Sequence, residues 1–161
     1  MFAVPENTIA PLATAAAATR HPVRVALEYA ADRERWRNLL RYDPDERFAV
    51  LLDRVDGDEV WLLSWLPGQY TGLHDHGDAT GAFTVVSGRL TESVTRRAAD
   101  GRVVTEVHTP AQGQSRVFGP GYVHDVRNEG PDPAISVHVY RAAARTIRPF
   151  RNDPIAGPVP G

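Results

Sequence analysis

Along this chain the apolar positions first recur at helical spacing and then alternate. Between residues 22 and 41, Val25, Tyr29, Trp36, Leu39 and Leu40 recur at roughly helical intervals among Arg, Asp and Glu. That pattern predicts one or two amphipathic N-terminal helices, with Pro22 near the first N-terminus. Asp43-Pro44-Asp45 reads as a turn. Short runs rich in Val, Leu, Thr and aromatics follow at 48–53, 60–66, 82–86, 89–96, 103–108, 115–118 and 134–141. Asp-Gly, Pro-Gly, Ser-Gly and Gly-Pro pairs separate them, so the chain reads as an all-β sandwich or barrel with N-terminal helices.

The two ends have a different texture. Residues 1–21 are low in complexity, with Ala15 to Ala18 as small-residue filler and Pro5 and Pro11 interrupting, and are expected to form a flexible arm. Residues 22–147 form the expected single domain, helices included. Residues 148–161 carry Pro149, Pro154, Pro158 and Pro160 and are expected as an extended tail. No internal repeat is present.

Composition removes several classes of function. At 161 residues the chain suits one domain with a sizeable core. It has no cysteine, which excludes disulfides and cysteine-ligated zinc. All 18 basic residues are Arg, so a Schiff-base lysine is excluded as well. A net charge of −2 provides no basic field for nucleic acid. With no signal-peptide pattern and no stretch of membrane-spanning length, no membrane association is expected, and a cytoplasmic location is the default. Protein partners are not legible.

Six histidines are present, of which His74 and His76 form a His-x-His pair. On a strand, residues i and i+2 point the same way, so both imidazoles can reach one point inside a barrel. Neutral imidazole suits Zn, Fe, Ni and Cu, which leaves the metal open. His21 and His108 lack a partner at ligand spacing and read as surface residues. Asp75 alternates away from the pair and reads as structural.

The context of the pair resembles the cupin superfamily. Gly68, five residues, His74-Asp75-His76, four residues, Gly81, six residues, Gly88 resembles the first cupin motif, with Gly81 where that motif normally has Glu. Gly113, five residues, Gly119-Pro120-Gly121, two residues, His124, three residues, Asn128 resembles the second. The glycines are expected at tight turns needing positive φ. The resemblance implies a double-stranded β-helix, or jelly-roll barrel, with a metal held by His74, His76 and His124. Three neutral imidazoles leave a divalent cation its full charge, which favours an incoming anion, and a coordinated thiol loses its proton.

Within the cupins the chain is similar to the thiol dioxygenases, whose type member is cysteine dioxygenase. That narrower resemblance rests on residues 65–90 and 123–140, and it implies Fe(II), a small thiol substrate and O2. The thiol, L-cysteine first, would become a sulfinate. Ser136-Val137-His138-Val139-Tyr140 resembles the family's Ser-x-His-x-Tyr relay, and strand period two sets Ser136, His138 and Tyr140 on one face. An inward face would let the Tyr140 hydroxyl reach substrate, with His138 and Ser136 behind it. Some family members carry a Cys crosslinked to this tyrosine; the matching position here is Gly81, so the resemblance implies an uncrosslinked Tyr140. The family's carboxylate-binding Arg matches Arg47 if a small insertion is allowed. An ungapped comparison places Leu51 there instead, and Arg54 is a further candidate. Two other readings stand beside the first: a dioxygenase of 3-mercaptopropionate or another small thiol, and a metal-bearing binding module without turnover.

Overall fold

The structure, a computed structural model, describes residues 20–141, 147–153 and 157–161. Nearly all of the arm expected over 1–21 lies outside the described residues. Helix α1 (Pro22–Ala31) starts where expected: the exposed His21 is its N-cap, and the His21 Nδ1 accepts a hydrogen bond from the Val23 N–H at 3.0 Å. Pro22 at the first helical position needs no hydrogen-bond partner for its nitrogen.

The helical pattern does not extend to residue 41. Asp32, at φ −92° and ψ 72°, leaves the helical region, and only a short 3-10 turn (Arg33–Arg35) follows. Of the one or two N-terminal helices expected, the described residues form one helix and one short turn. Trp36 is buried as a plug beyond the turn, its indole N–H donating to the Tyr29 carbonyl at 2.8 Å. Leu39, in contrast, is 46% exposed. Apolar residues past Asp32 serve packing at one point and solvent at another, which periodicity alone does not separate.

Among the described residues eleven strands follow: β1 (Phe48–Val55), β2 (Asp58–Trp65), β3 (His74–Asp75), β4 (Thr80–Ser87), β5 (Thr91–Arg97), β6 (Val103–His108), β7 (Ser115–Phe118), β8 (Val123–Arg127), β9 (Ala134–Arg141), β10 (Arg148–Asp153) and β11 (Gly157–Pro160). They form a five-stranded sheet in the order β1-β2-β9-β4-β7 and a six-stranded sheet in the order β11-β10-β3-β8-β5-β6. The paired strands run antiparallel. The curled sheets give the all-β jelly-roll barrel that the sequence predicts.

Strand alternation divides the apolar residues into two layers. On β9, Ile135, Val137 and Val139 pack with Val25, Ala26, Tyr29 and Trp36 of the N-terminal segment. Trp65, Phe83, Leu90 and Val126 form a second cluster. The opposite face of β9 is thereby turned away from α1 and carries Ser136, His138 and Tyr140.

Residues 148–153 and 157–160, within the region expected as an extended tail, pair with each other as β10 and β11, and β10 also pairs with β3. The Phe150 N–H donates to the Leu73 carbonyl at 2.8 Å, and the Arg148 guanidinium holds the buried Asp75 carboxylate through two bonds of 2.8 and 2.6 Å. No helix of the described residues is long and apolar enough to cross a membrane.

Candidate metal centre

Register brings two of the three candidate ligands face to face. His74 on β3 and His124 on β8 are direct cross-strand partners, and His76 lies just beyond β3. All three side chains are buried. The His76 Nε2 lies 3.2 Å from that of His74 and 3.4 Å from that of His124. One ligand atom from each falls within 4.8 Å of the others, a grouping that can hold a metal ion. No carboxylate belongs to this group.

Hydrogen bonds behind the rings fix which nitrogen faces the centre. The His74 Nδ1 donates to the Gly72 carbonyl at 2.8 Å, so its Nε2 carries the lone pair. Burial, with His124 nearby, pushes the His74 pKa down to about 4, and the ring is a neutral donor at neutral pH. The His124 Nδ1 donates to Glu92 Oε2 at 2.8 Å. Glu92, on β5, is fully buried and also accepts from Arg116 Nε at 2.6 Å and the Tyr122 hydroxyl at 3.2 Å. Burial alone would raise its pKa; the bonds from His124 and Arg116 outweigh that and hold the carboxyl below its ordinary value. Converging ring nitrogens, with His74 and His124 anchored from behind, fit a divalent cation of the Zn, Fe, Ni or Cu type.

Gly81 was expected at a turn requiring positive φ, as Gly88 is at φ 80°. Gly81 lies instead inside β4, outside the positive-φ region, and is needed for close approach. A Cβ there would come within 2.3 Å of the Val139 carbonyl oxygen and 2.5 Å of Phe118 Cζ. The Phe118 ring packs against His76 at 4.9 Å, His124 at 5.5 Å and Tyr140 at 5.7 Å between centroids.

The polar face of β9 looks inward. Ser136 and His138 are buried, and Phe83 stacks on His138 at 4.9 Å. The Trp65 indole N–H donates to Ser136 Oγ at 2.9 Å. Ser136 Oγ is 2.8 Å from His138 Nε2, and His138 Nδ1 is 3.3 Å from the Tyr140 hydroxyl. Trp65 is a donor only. A Ser136 hydroxyl donating to His138 Nε2 would leave a neutral ring to donate from Nδ1 to the Tyr140 oxygen. Burial, then the charge of Arg47, lowers the His138 pKa well below 6.5, consistent with that neutral ring.

Arg47 enters the same cavity. Its guanidinium lies 5.1 Å over the Trp65 ring and donates through Nη1 to the Tyr70 carbonyl at 3.2 Å. Its Nε is buried without a hydrogen-bond partner among the described residues. The cavity measures about 320 Å³ and is lined by Arg47, the three histidines, His138 and Tyr140, with Ile147, Pro149 and Phe150 as apolar wall. Leu51 does not line it, and Arg54 is instead paired with Glu59 at 3.4 Å. His21 and His108 are also absent from the cavity lining.

Three residues of the site were not read from the sequence. Glu92 had a signal: it interrupts the inward series Leu90, Glu92, Val94 with a charge. Trp65 as the end of the relay and Phe118 beside Gly81 had none, because both depend on pairings between distant strands.

Solved structures share the barrel. A Thermus thermophilus protein is 24% identical, covering 65% of this chain and 91% of its own, with a TM-score of 0.56. A cupin superfamily protein of Desulfitobacterium hafniense is 7% identical, covering 66% and 87%, with a TM-score of 0.54. An oxalate oxidase solved with the substrate analogue glycolate is 21% identical, covering 65% and 55%, with a TM-score of 0.53. These likenesses show the fold. The family pattern of cysteine dioxygenase type I matches residues 8–153, nearly the whole chain, and this chain belongs to that family, a thiol dioxygenase-like branch of the cupins.

Proposed function

We propose that the protein is an Fe(II)-dependent thiol dioxygenase that converts a small thiol, L-cysteine first, to its sulfinate. The observation that carries this reading is one cavity holding a carboxylate-free histidine triad, a cation at Arg47 and a hydroxyl at Tyr140. Family membership supports an enzyme with a small-molecule substrate and O2. In the overall reaction both atoms of O2 are added to sulfur: the O–O bond breaks, two S–O bonds form, and the thiol proton ends on the sulfinic acid or in solvent.

His74, His76 and His124 would hold the iron, which when bound acidifies the thiol and supplies the redox chemistry that O2 requires. The remaining roles belong to the chain. Arg47 offers a planar fork for the substrate carboxylate. His138 holds the Tyr140 oxygen, which leaves the phenolic proton to be directed at the substrate or at developing charge on oxygen. Leu73, Ile147 and Phe150 form apolar walls that limit water.

Anaerobic loading with Fe(II), then O2 uptake with cysteine, 3-mercaptopropionate and cysteamine, tests the reading. Uptake matched by sulfinate supports it, and no uptake with any of the three overturns it. One observation keeps 3-mercaptopropionate as a second reading: among the described residues the cavity offers Arg47 to a carboxylate but no Asp or Glu to an amine. The ratio of kcat/KM for the two carboxylates decides between them. A binding module without turnover would be favoured if Tyr140→Phe left every measured activity untouched.

A further inference from the structure

The metal centre has an asymmetry that its ligands alone do not reveal. Behind His74 stands a neutral backbone carbonyl, that of Gly72 at 2.8 Å. Behind His124 stands a full negative charge, Glu92 at 2.8 Å, with no exposure to solvent. A fully buried carboxylate persists only when its lone pairs are used and its charge is matched. Glu92 meets both conditions through three donors: His124, Arg116 at 2.6 Å and Tyr122 at 3.2 Å. Arg116 reaches it from β7, in the opposite sheet, and also donates through Nη2 to the Tyr122 hydroxyl at 3.2 Å. Glu92 and His124 meet because Val94 is the direct partner of His124 on β5, and Glu92 lies two positions along the same face.

We propose that Glu92 is a positioning residue of the metal centre. It locks the His124 ring with Nε2 inward and lends that ligand negative charge, while Arg116 and Tyr122 set how much of the charge reaches it. The inference rests on the metal reading above. Three neutral ligands give a divalent cation no compensation of its own, and Glu92, bonded to His124, is an anion placed to supply it through a ligand. Arg116 competes for that anion. Removing Glu92 and removing Arg116 must therefore act on the metal in opposite directions, although either change weakens the packing of the barrel.

The test uses the full-length chain, stripped with chelator and titrated with Co(II) against a chromophoric competitor, alongside thermal melts of the metal-free form. The wild type is expected to take up one Co(II). Glu92→Gln is expected to weaken uptake about 10–100-fold, the range for lost orienting partners of metal-ligating histidines. Arg116→Gln is expected to melt lower without metal yet bind Co(II) more tightly, and Tyr122→Phe to shift the same way by less. A purely structural network would weaken binding in all variants together or leave it unchanged, and either pattern overturns the inference. Should Glu92→Gln fail to fold, the sign of the Arg116 and Tyr122 variants still decides. A wild type that takes up no Co(II) overturns the metal reading and this inference together; a wild type that binds, with unaltered variants, sinks the inference alone.

Discussion

Gly81 and Phe118 are direct partners across β4 and β7, and the Phe118 ring occupies the space a Gly81 side chain would need. The position that carries Glu in the general cupin pattern is thus closed by an aromatic ring, beside a candidate ligand group made of imidazoles. Gly81→Ala forces a carbonyl or the ring to move and is expected to destabilise the fold by about 1–3 kcal/mol, as overpacking does. Thermal or urea melts of the metal-free form measure this. A Gly81→Ala variant as stable as the wild type would show that Phe118 yields freely.

Tyr140→Phe removes the hydroxyl while leaving the ring beside His76, 4.7 Å away between centroids. Metal content is expected to stay unchanged while kcat falls about 100-fold or more, within the range of lost proton-transfer groups. Trp65→Phe, which removes the donor to Ser136 along with part of the buried ring beneath Arg47, is expected to lower kcat by about fivefold or more, about 1 kcal/mol being the share of one hydrogen bond. Steady-state O2 uptake and iron analysis of the same samples separate chemistry from loading.

Arg47→Gln shortens and neutralises the cation in the cavity. For thiols bearing a carboxylate, kcat/KM is expected to fall about 10–100-fold, the equivalent of the ~1.5–3 kcal/mol of a charged hydrogen bond. Cysteamine, which has no carboxylate, is expected to be unaffected. Equal losses for all three thiols would assign Arg47 to packing on Trp65 instead.

The histidines give a pH dependence with a definite sign. His74, with a pKa of about 4, and His138, held well below 6.5, are neutral when folded. Once unfolded, each binds a proton below about pH 6.5. The unfolded chain then holds more protons, so stability falls as pH drops through that value and is flat above it. Each histidine kept neutral contributes a slope of about 1.4 kcal/mol per pH unit. Urea midpoints of the metal-free protein at about pH 7 and about pH 5 measure the fall, and His138→Phe is expected to reduce it.

Much of this molecule is written in local pattern. Strands β6 and β7 run where the apolar runs place them, and β9 shows both its period of two and the face that period turns inward. His74, His76 and His124 converge as the resemblance to the two cupin motifs implied. What the sequence does not display is pairing at long range. Arg47 reaches the cavity from a segment with no sequence neighbour in it, and the relay ends on Trp65 because β2 runs beside β9. Trp36 and Leu39 look alike as apolar letters, yet one is a plug and the other is wet. Pro149 belongs to the region read as an extended tail, yet it lies on β10: β3 offers β10 only two residues of pairing, and the Pro149 carbonyl accepts from the Gly161 N–H at 3.0 Å. A proline fits where the ladder asks for no donor.

The pairing of β10 with β3 ties the cavity to a segment more than seventy positions downstream of His74. A chain released or cleaved ahead of residue 148 would keep every candidate ligand and the whole relay, yet lose Arg148 from the Asp75 carboxylate and Pro149 and Phe150 from the wall. Closure of the pocket therefore depends on a contact of high sequence separation, and a chain shortened at that point would spare the chemistry and remove the room in which it happens.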